Sequence, residues 1–348
     1  TSGPSAGGTQ LTLEGVHLGN GSDYRVRIAP APDATAMAAG NALTVATVAA
    51  TLLGATALRC VTPSQLQSLA SYIVEVSLNG QQYTTSAARF MYTAAELEVF
   101  SLSPVTGPTL GGTRLVIKGA GFRRGAHYCC QLGEAPLLLS ATFHAQGDYS
   151  QDVWSGAPGA AAVSTPGDVD ALICHSPPVA ASTGASVPTG ASVPSAEMVG
   201  TSRPLAVRVA TNCQQFAPTV PAPGFTYFDA PLASSISPAS GPTAGDTLVI
   251  VGGVHLNGSS SGSSGSFGRN STLPEAINAT DLRCRFASSM QLVPATADSM
   301  KRMRCRSPAL TAAASPSPAE SGAAATLVGW LEVTLNGQQH VAGGSYEI

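Results

Sequence analysis

The sequence predicts an all-β chain of three consecutive Greek-key β-sandwiches, and three observations carry that expectation. One turn phrase recurs three times, short alternating strands follow each occurrence, and no helical period is present. The central occurrence is Gly107-Pro108-Thr109-Leu110-Gly111-Gly112-Thr113. The others are Gly3-Pro4-Ser5-Ala6-Gly7-Gly8-Thr9 and Gly241-Pro242-Thr243-Ala244-Gly245-Asp246-Thr247. Pro fixes one φ in the phrase and the Gly pair supplies positive φ, which reads as a turn feeding a strand.

In the first unit Leu11 and Leu13 share one strand face, and Asp23 to Ile28 forms a second alternating strand. Leu58 to Pro63 and Ile73 to Leu78 follow, and Asn79-Gly80 reads as a type I′ hairpin turn into Arg89 to Tyr92. The second unit repeats the order with Leu115 and Ile117, His127 to Leu132, Leu172 to Pro177, Leu205 to Phe216 and Phe225 to Phe228. The third has Val249 and Val251, Asp281 to Phe286, Met303 to Pro308, Leu331 to Gln339 and Ser345 to Ile348. Spans of Ser, Gly, Ala and Pro near 133–171, 179–202, 257–280 and 309–325 are expected as surface loops. The links Thr93 to Glu96 and Asp229 to Leu232 are short, which favours a semi-rigid rod over beads on a string.

Only 11% of the 348 residues are charged, whereas 37 are Gly and 25 are Pro, a balance that favours strands and turns. A net charge of −3 gives no electrostatic footprint for nucleic acid. Ala34 to Leu58 is uncharged, yet its Ala, Thr, Gly and Asn content is too polar for a membrane span, so it reads as a loop and strand insert. The sequence opens inside a motif, so the chain reads as a fragment or a trimmed mature product.

The phrase, the Gly-rich turn after its strand, the Cys-x-x-Pro strand and the final Asn-Gly hairpin resemble the IPT/TIG domain family. The resemblance implies an immunoglobulin-like fold in three copies, at 1–93 (without its leading strand), 97–228 and 232–348. It also implies a non-enzymatic extracellular role in adhesion, surface assembly or recognition, with protein partners, neighbouring copies or glycans. The same domains accompany DNA-binding domains and polysaccharide-acting enzymes, and these two settings stand as alternatives.

Seven cysteines allow three bridges and leave one over. Alignment of the copies places Cys284 and Cys305 where Cys130 and Cys174 stand, so Cys130–Cys174 and Cys284–Cys305 are the expected bridges. Val26 occupies the partner position in the first copy, which leaves Cys60 alone and open to cross-linking with a neighbouring chain. Cys129 faces away from Cys130 and Cys213 lies in the final hairpin; the two either pair or stay free. Asn20, Asn257, Asn270 and Asn278 are glycosylation sequons in expected loops, and with the cysteine pairs they indicate the secretory pathway.

Nothing carries catalysis: a phosphate loop, a nucleophile triad and a nucleotide fingerprint are all missing from the sequence, and no cofactor is expected. His17 and His255 are equivalent and read as structural, because Gly121 replaces them in the second copy. His127 and His175 neighbour cysteines without zinc-ligand spacing. Asp148, Asp152, Asp168 and Asp170 lack calcium-loop spacing and read as solvated acids. One basic cluster, Arg283 and Arg285 with Lys301, Arg302, Arg304 and Arg306, is a candidate polyanion contact, weighed against an ordinary charged strand face.

Overall fold

The computed structural model describes residues 1–32, 44–65, 70–85, 88–93, 96–133, 138–145, 169–179, 204–217, 224–258, 281–286, 291–309 and 328–347. Among these residues every regular element is a strand, and no strand ladder crosses between three consecutive sets. The first set holds β1 (Ser2–Pro4), β2 (Gln10–Glu14), β3 (Arg25–Pro30), β4 (Ala46–Gly54), β5 (Ala57–Val61), β6 (Ala70–Ser77) and β7 (Ala88–Thr93). They pair in the order β1-β7-β6-β3-β4-β5-β2.

The middle set holds β8 (Glu98–Ser103), β9 (Thr106–Pro108), β10 (Arg114–Ala120), β11 (Cys129–Leu132), β12 (Leu139–Ser140), β13 (Thr142–His144), β14 (Asp170–His175), β15 (Leu205–Ala210) and β16 (Gly224–Phe228). It forms two sheets, β13-β14-β10-β8 and β12-β11-β15-β16-β9. The last set holds β17 (Leu232–Ser237), β18 (Leu248–Val254), β19 (Arg283–Phe286), β20 (Gln291–Ser299), β21 (Arg302–Arg306), β22 (Val328–Thr334) and β23 (Val341–Glu347), ordered β17-β18-β21-β20-β19-β22-β23.

Alternation turns side chains inward to a core in each set, the third core also taking in Phe228 from the end of β16. In the first, Leu11, Val26, Ile28, Tyr72, Phe90 and Tyr92 are packed together. Leu115, Ile117, Phe122, Leu172, Val209 and Phe225 do the same in the middle. Val249, Val251, Phe286, Met303, Leu331 and Tyr346 fill the third. Strand β2 ends its sheet, whereas the equivalent β10 and β18 are flanked by β8 and β17.

One segment in each set passes from one side of the sandwich to the other. The first half of β4 pairs with β3 and the second half with β5. Strand β20 passes likewise from β19 to β21. In the middle, β12 pairs with β11 and β13 with β14, on either side of Ala141. The segment 139–144 was expected as loop, and 291–299 was not anticipated as strand. Both lie at a sandwich corner, where the chain needs ladder bonds more than a buried face, so the apolar alternation that marks strands is weak.

The recurrent phrase is held by backbone packing. Gly7, Gly111 and Gly245 have φ of 81°, 75° and 76°. A Cβ on each would lie 2.6 Å from the carbonyl carbon of Pro63, Pro177 and Pro308, respectively, so only Gly fits. The following Thr closes the corner: Thr113 N–H donates to Ser176 Oγ at 3.1 Å and Ser176 N–H to Thr113 O at 2.8 Å. Thr9 makes the same pair with Thr62, and Thr247 with Ser307.

Asn79-Gly80 is not the expected two-residue type I′ turn. Strand β6 ends at Ser77 and β7 begins at Ala88, and of the pair only Gly80 has positive φ, 73°. The Asn79 side chain instead accepts from the backbone, an Asx turn that needs one left-handed residue rather than two.

Gly111→Ala is expected to lower stability by about 3 kcal/mol or more, combining left-handed strain with the clash at Pro177. Gly112→Ala, with φ of 76° and open space around it, should cost only about 1 kcal/mol. Chemical denaturation of both variants checks the difference.

Candidate functional site

The same loop appears three times, as Asn79-Gly80-Gln81-Gln82, Asn212-Cys213-Gln214-Gln215 and Asn336-Gly337-Gln338-Gln339. In each, the Asn Oδ1 accepts from the backbone N–H groups two and three residues on. These distances are 3.1 and 3.1 Å at Asn79, 3.1 and 3.2 Å at Asn212, and 3.2 and 3.3 Å at Asn336. The residue after Asn is left-handed every time, with φ of 73°, 57° and 74° at Gly80, Cys213 and Gly337. The loop therefore arrives pre-shaped, with two glutamine side chains projecting from it.

Two of these loops dock on a corner of the preceding strand set. Gln214 Nε2 donates to Gln10 O at 3.0 Å while Gln10 N–H donates to Gln214 Oε1 at 2.8 Å. Gln338 repeats both bonds on Arg114, at 3.0 and 2.8 Å. Asn212 Nδ2 donates to Thr9 Oγ1 at 3.2 Å and to Gln215 Oε1 at 2.5 Å. Asn336 does so to Thr113 Oγ1 at 3.4 Å and to Gln339 Oε1 at 2.6 Å. Ser2 Oγ adds one acceptor across the first joint, for Ala126 N–H at 2.7 Å.

Docking buries both partners. Asn212 and Asn336 are 7% and 5% exposed, and Thr9 and Thr113 are 2% and 0% exposed. Both chain sequence and corner geometry explain the fit: Thr turns its peptide groups inward to Ser or Thr, so the next residue points its N–H and C=O outward. The glutamine carboxamide takes the place of the missing neighbouring strand.

Cys130 is bonded to Cys174 and Cys284 to Cys305, each across its core. Cys129 is bonded to Cys213, which ties the middle docking loop to β11. With both Cys129 and Cys130 oxidised, no thiolate is left beside the exposed His127 and His175 for a metal. Among the described residues no three His, Cys, Asp or Glu side chains gather into a metal-binding group. Cys60 remains unpaired, but it is 3% exposed and burial pushes its thiol up to about 11. That placement sets its sulfur in the first core rather than on a surface.

Asn20 is exposed in a turn with φ of 64°, and Asn257 is half-buried. Asn270 and Asn278 lie outside the described residues, as do Asp148, Asp152 and Asp168. Asp170 is not a solvated loop acid; it opens β14 and pairs with Arg123 at 2.8 and 3.0 Å. His17, Gly121 and His255 all take positive φ, 59°, 84° and 56°, so the shared role is a left-handed turn.

The basic cluster divides. Cys284 and Cys305 point inward, so Arg283 and Arg285 on β19 face out on one side and Arg302, Arg304 and Arg306 on β21 face out on the other. Acids meet most of them: Arg283 contacts Asp281 at 2.5 Å, Arg285 Glu332 at 2.6 Å, Arg304 Asp298 at 3.1 Å and Arg306 Asp246 at 2.9 Å. Arg302 lies 3.9 Å from the same Asp298, and Lys301 is exposed in the β20–β21 turn. Among the described residues the six basic side chains therefore do not share one face. Among the described residues no helix is long and apolar enough to cross a membrane.

Asn336→Ala is expected to cost about 2 kcal/mol, because it removes buried turn bonds together with the Thr113 contact; Asn79→Ala should cost about half as much. Denaturation midpoints of the two variants test this. Native protein at pH 8 should resist iodoacetamide at Cys60, since a thiol raised to about 11 is almost entirely protonated at that pH, and should react once unfolded. Mass spectrometry before and after denaturant reads the outcome.

A family model described as the IPT/TIG domain matches residues 1–92 and 231–346. Among solved structures, a plexin A4 full extracellular region aligns over 89% of this chain and 20% of its own, at 16% identity and a TM-score of 0.37. A Bacteroides ovatus mixed-linkage glucan utilization protein, SGBP-B, bound to a heptasaccharide, aligns over 99% of this chain and 64% of its own, at 8% identity and a TM-score of 0.23. The mouse nectin-like molecule 4 ectodomain aligns over 100% of this chain and 94% of its own, at 11% identity and a TM-score of 0.21. The chain spans 20% and 32% of the length of two plexin A4 ectodomain chains. No curated protein matches the sequence. With well over half of its residues covered by that family model, the chain belongs to the IPT/TIG domain family.

Proposed function

We propose that the chain is a non-enzymatic extracellular scaffold, three IPT/TIG sandwiches at 1–93, 97–228 and 232–348 held as a semi-rigid rod that presents its loops for recognition. The observation that carries this reading is the repeated joint, Gln214 on Gln10 and Gln338 on Arg114, with the same bonds at each. A chain that conserves its own joint geometry while its inserts diverge fixes the spacing of those inserts. The middle segment supports its place as a third copy by sharing both the glycine corner and the Asn loop. Three disulfides suit an oxidising compartment. Protein partners, neighbouring copies and glycans are the ligand classes that such loops and strand edges serve.

Small-angle scattering tests the rod. The wild type is expected to give one well-defined maximum dimension, and Gln214→Ala with Gln338→Ala should broaden the distance distribution without lowering the melting temperature of the sandwiches. Identical scattering from both proteins would overturn the joint reading. Peptide mapping without reduction tests the compartment: free thiols at Cys284 and Cys305 in protein from its native source would exclude it.

A further inference from the structure

Among the described residues one docking loop and one docking corner are not used by the internal joints. The loop is Asn79 to Gln82. Its Asx turn has the same bonds as the two docked loops, and Asn79 Nδ2 holds Gln82 Oε1 as Asn212 holds Gln215 and Asn336 holds Gln339. Yet Asn79, Gln81 and Gln82 are all exposed, whereas Asn212 and Asn336 are 7% and 5% exposed.

The corner is Gly245 to Leu248. Thr247 N–H donates to Ser307 Oγ at 3.1 Å and Ser307 N–H to Thr247 O at 2.8 Å, as at the two occupied corners. Leu248 pairs with Arg306 as Arg114 pairs with His175, so its N–H and C=O point away from β21, toward the space that a glutamine fills at Arg114. Strand β17 does not cover that space, because its last ladder pair is Ser237 with Ile250. Thr247 is half-exposed where Thr9 and Thr113 are 2% and 0%, and Leu248 is 42% exposed. Asp246 stands where the other corners have Gly8 and Gly112. A Cβ at Gly8 would lie 3.8 Å from Gln215 Nε2, an ordinary contact, and the Asp246 carboxylate is turned to Arg306 at 2.9 Å.

We propose that this chain associates head to tail with a second copy of itself, Gln81 of one copy bonding Leu248 N–H and C=O of the next while Gln82 faces Thr247. The inference rests on the joint reading above, and the occupant follows from complementarity already realised twice inside the chain. Loop and corner are different surfaces, so the contact is heterologous and repeats along one direction. Inside the chain each joint benefits from the high effective concentration of a short link; between copies it lacks that help, and association is expected in the high-micromolar to millimolar range.

Sedimentation velocity of the full chain over micromolar to millimolar concentration, with amide chemical shifts followed in parallel, tests the proposal. The wild type should sediment faster as concentration rises, with shifts at Leu248 and Thr247 alongside Gln81 and Gln82. Gln81→Ala with Gln82→Ala, in an exposed loop that leaves the fold intact, should weaken association by about tenfold or more and abolish the shift at Leu248. A wild type that stays monomeric throughout, or association that persists in the double variant, overturns it. So do shifts confined to other surfaces. The scattering of the Gln214 and Gln338 variant stands or falls separately, so failure here leaves the internal joints intact.

Discussion

A primary carboxamide and a peptide group present the same pair of functions, one N–H and one C=O in a common plane. The joints of this chain depend on that likeness. Gln214 and Gln338 each complete a cyclic pair with one residue on a strand edge that no neighbouring strand covers. A glutamate would accept but not donate, and would leave a main-chain carbonyl facing a carboxylate. An asparagine is one methylene short. The choice of residue is therefore dictated by the length and chemistry of a peptide edge, and each pair contributes on the order of 1 kcal/mol per bond after exchange with water.

What makes the edge available is the glycine corner. Left-handed φ at Gly7, Gly111 and Gly245 lets the backbone pack directly on Pro63, Pro177 and Pro308. That contact sets the Thr that follows in register with Ser or Thr of the neighbouring strand. Alternation then turns the next residue outward. Thus a local conformational requirement, a tertiary contact and a joint between sandwiches are consecutive consequences of seven residues.

Much of this was legible in the sequence. The threefold phrase located the corners, and alignment of the copies paired Cys130 with Cys174 and Cys284 with Cys305, the bonds the structure contains. The sheet-switching strands were not legible, because Gln291–Ser299 and Leu139–His144 gain ladder bonds while burying little, and burial is what sequence periodicity records. Asn79-Gly80 misled because the dipeptide serves both a type I′ turn and an Asx turn, and only the Gln-Gln that follows separates them. The signal for the joints was present all along: Asn-x-Gln-Gln occurs three times, each beginning two residues after the end of β6, β15 or β22. The division of the basic cluster has another cause. Adjacency across a disulfide looks like adjacency on a surface, yet a bond through the core sets its flanking residues on opposite sides.

Cys213 occupies the left-handed position that Gly80 and Gly337 hold in the other loops, and its bond to Cys129 staples that loop to β11. The two joints therefore share their hydrogen bonds but not their compliance. Tension applied along the chain meets a docking loop at Gln214 that is covalently tied to its own strand set and one at Gln338 that is not. Load would be shed at Gln338 before Gln214, and a reducing agent would even the two out, so the chain has a mechanical polarity that its nearly symmetric contacts conceal.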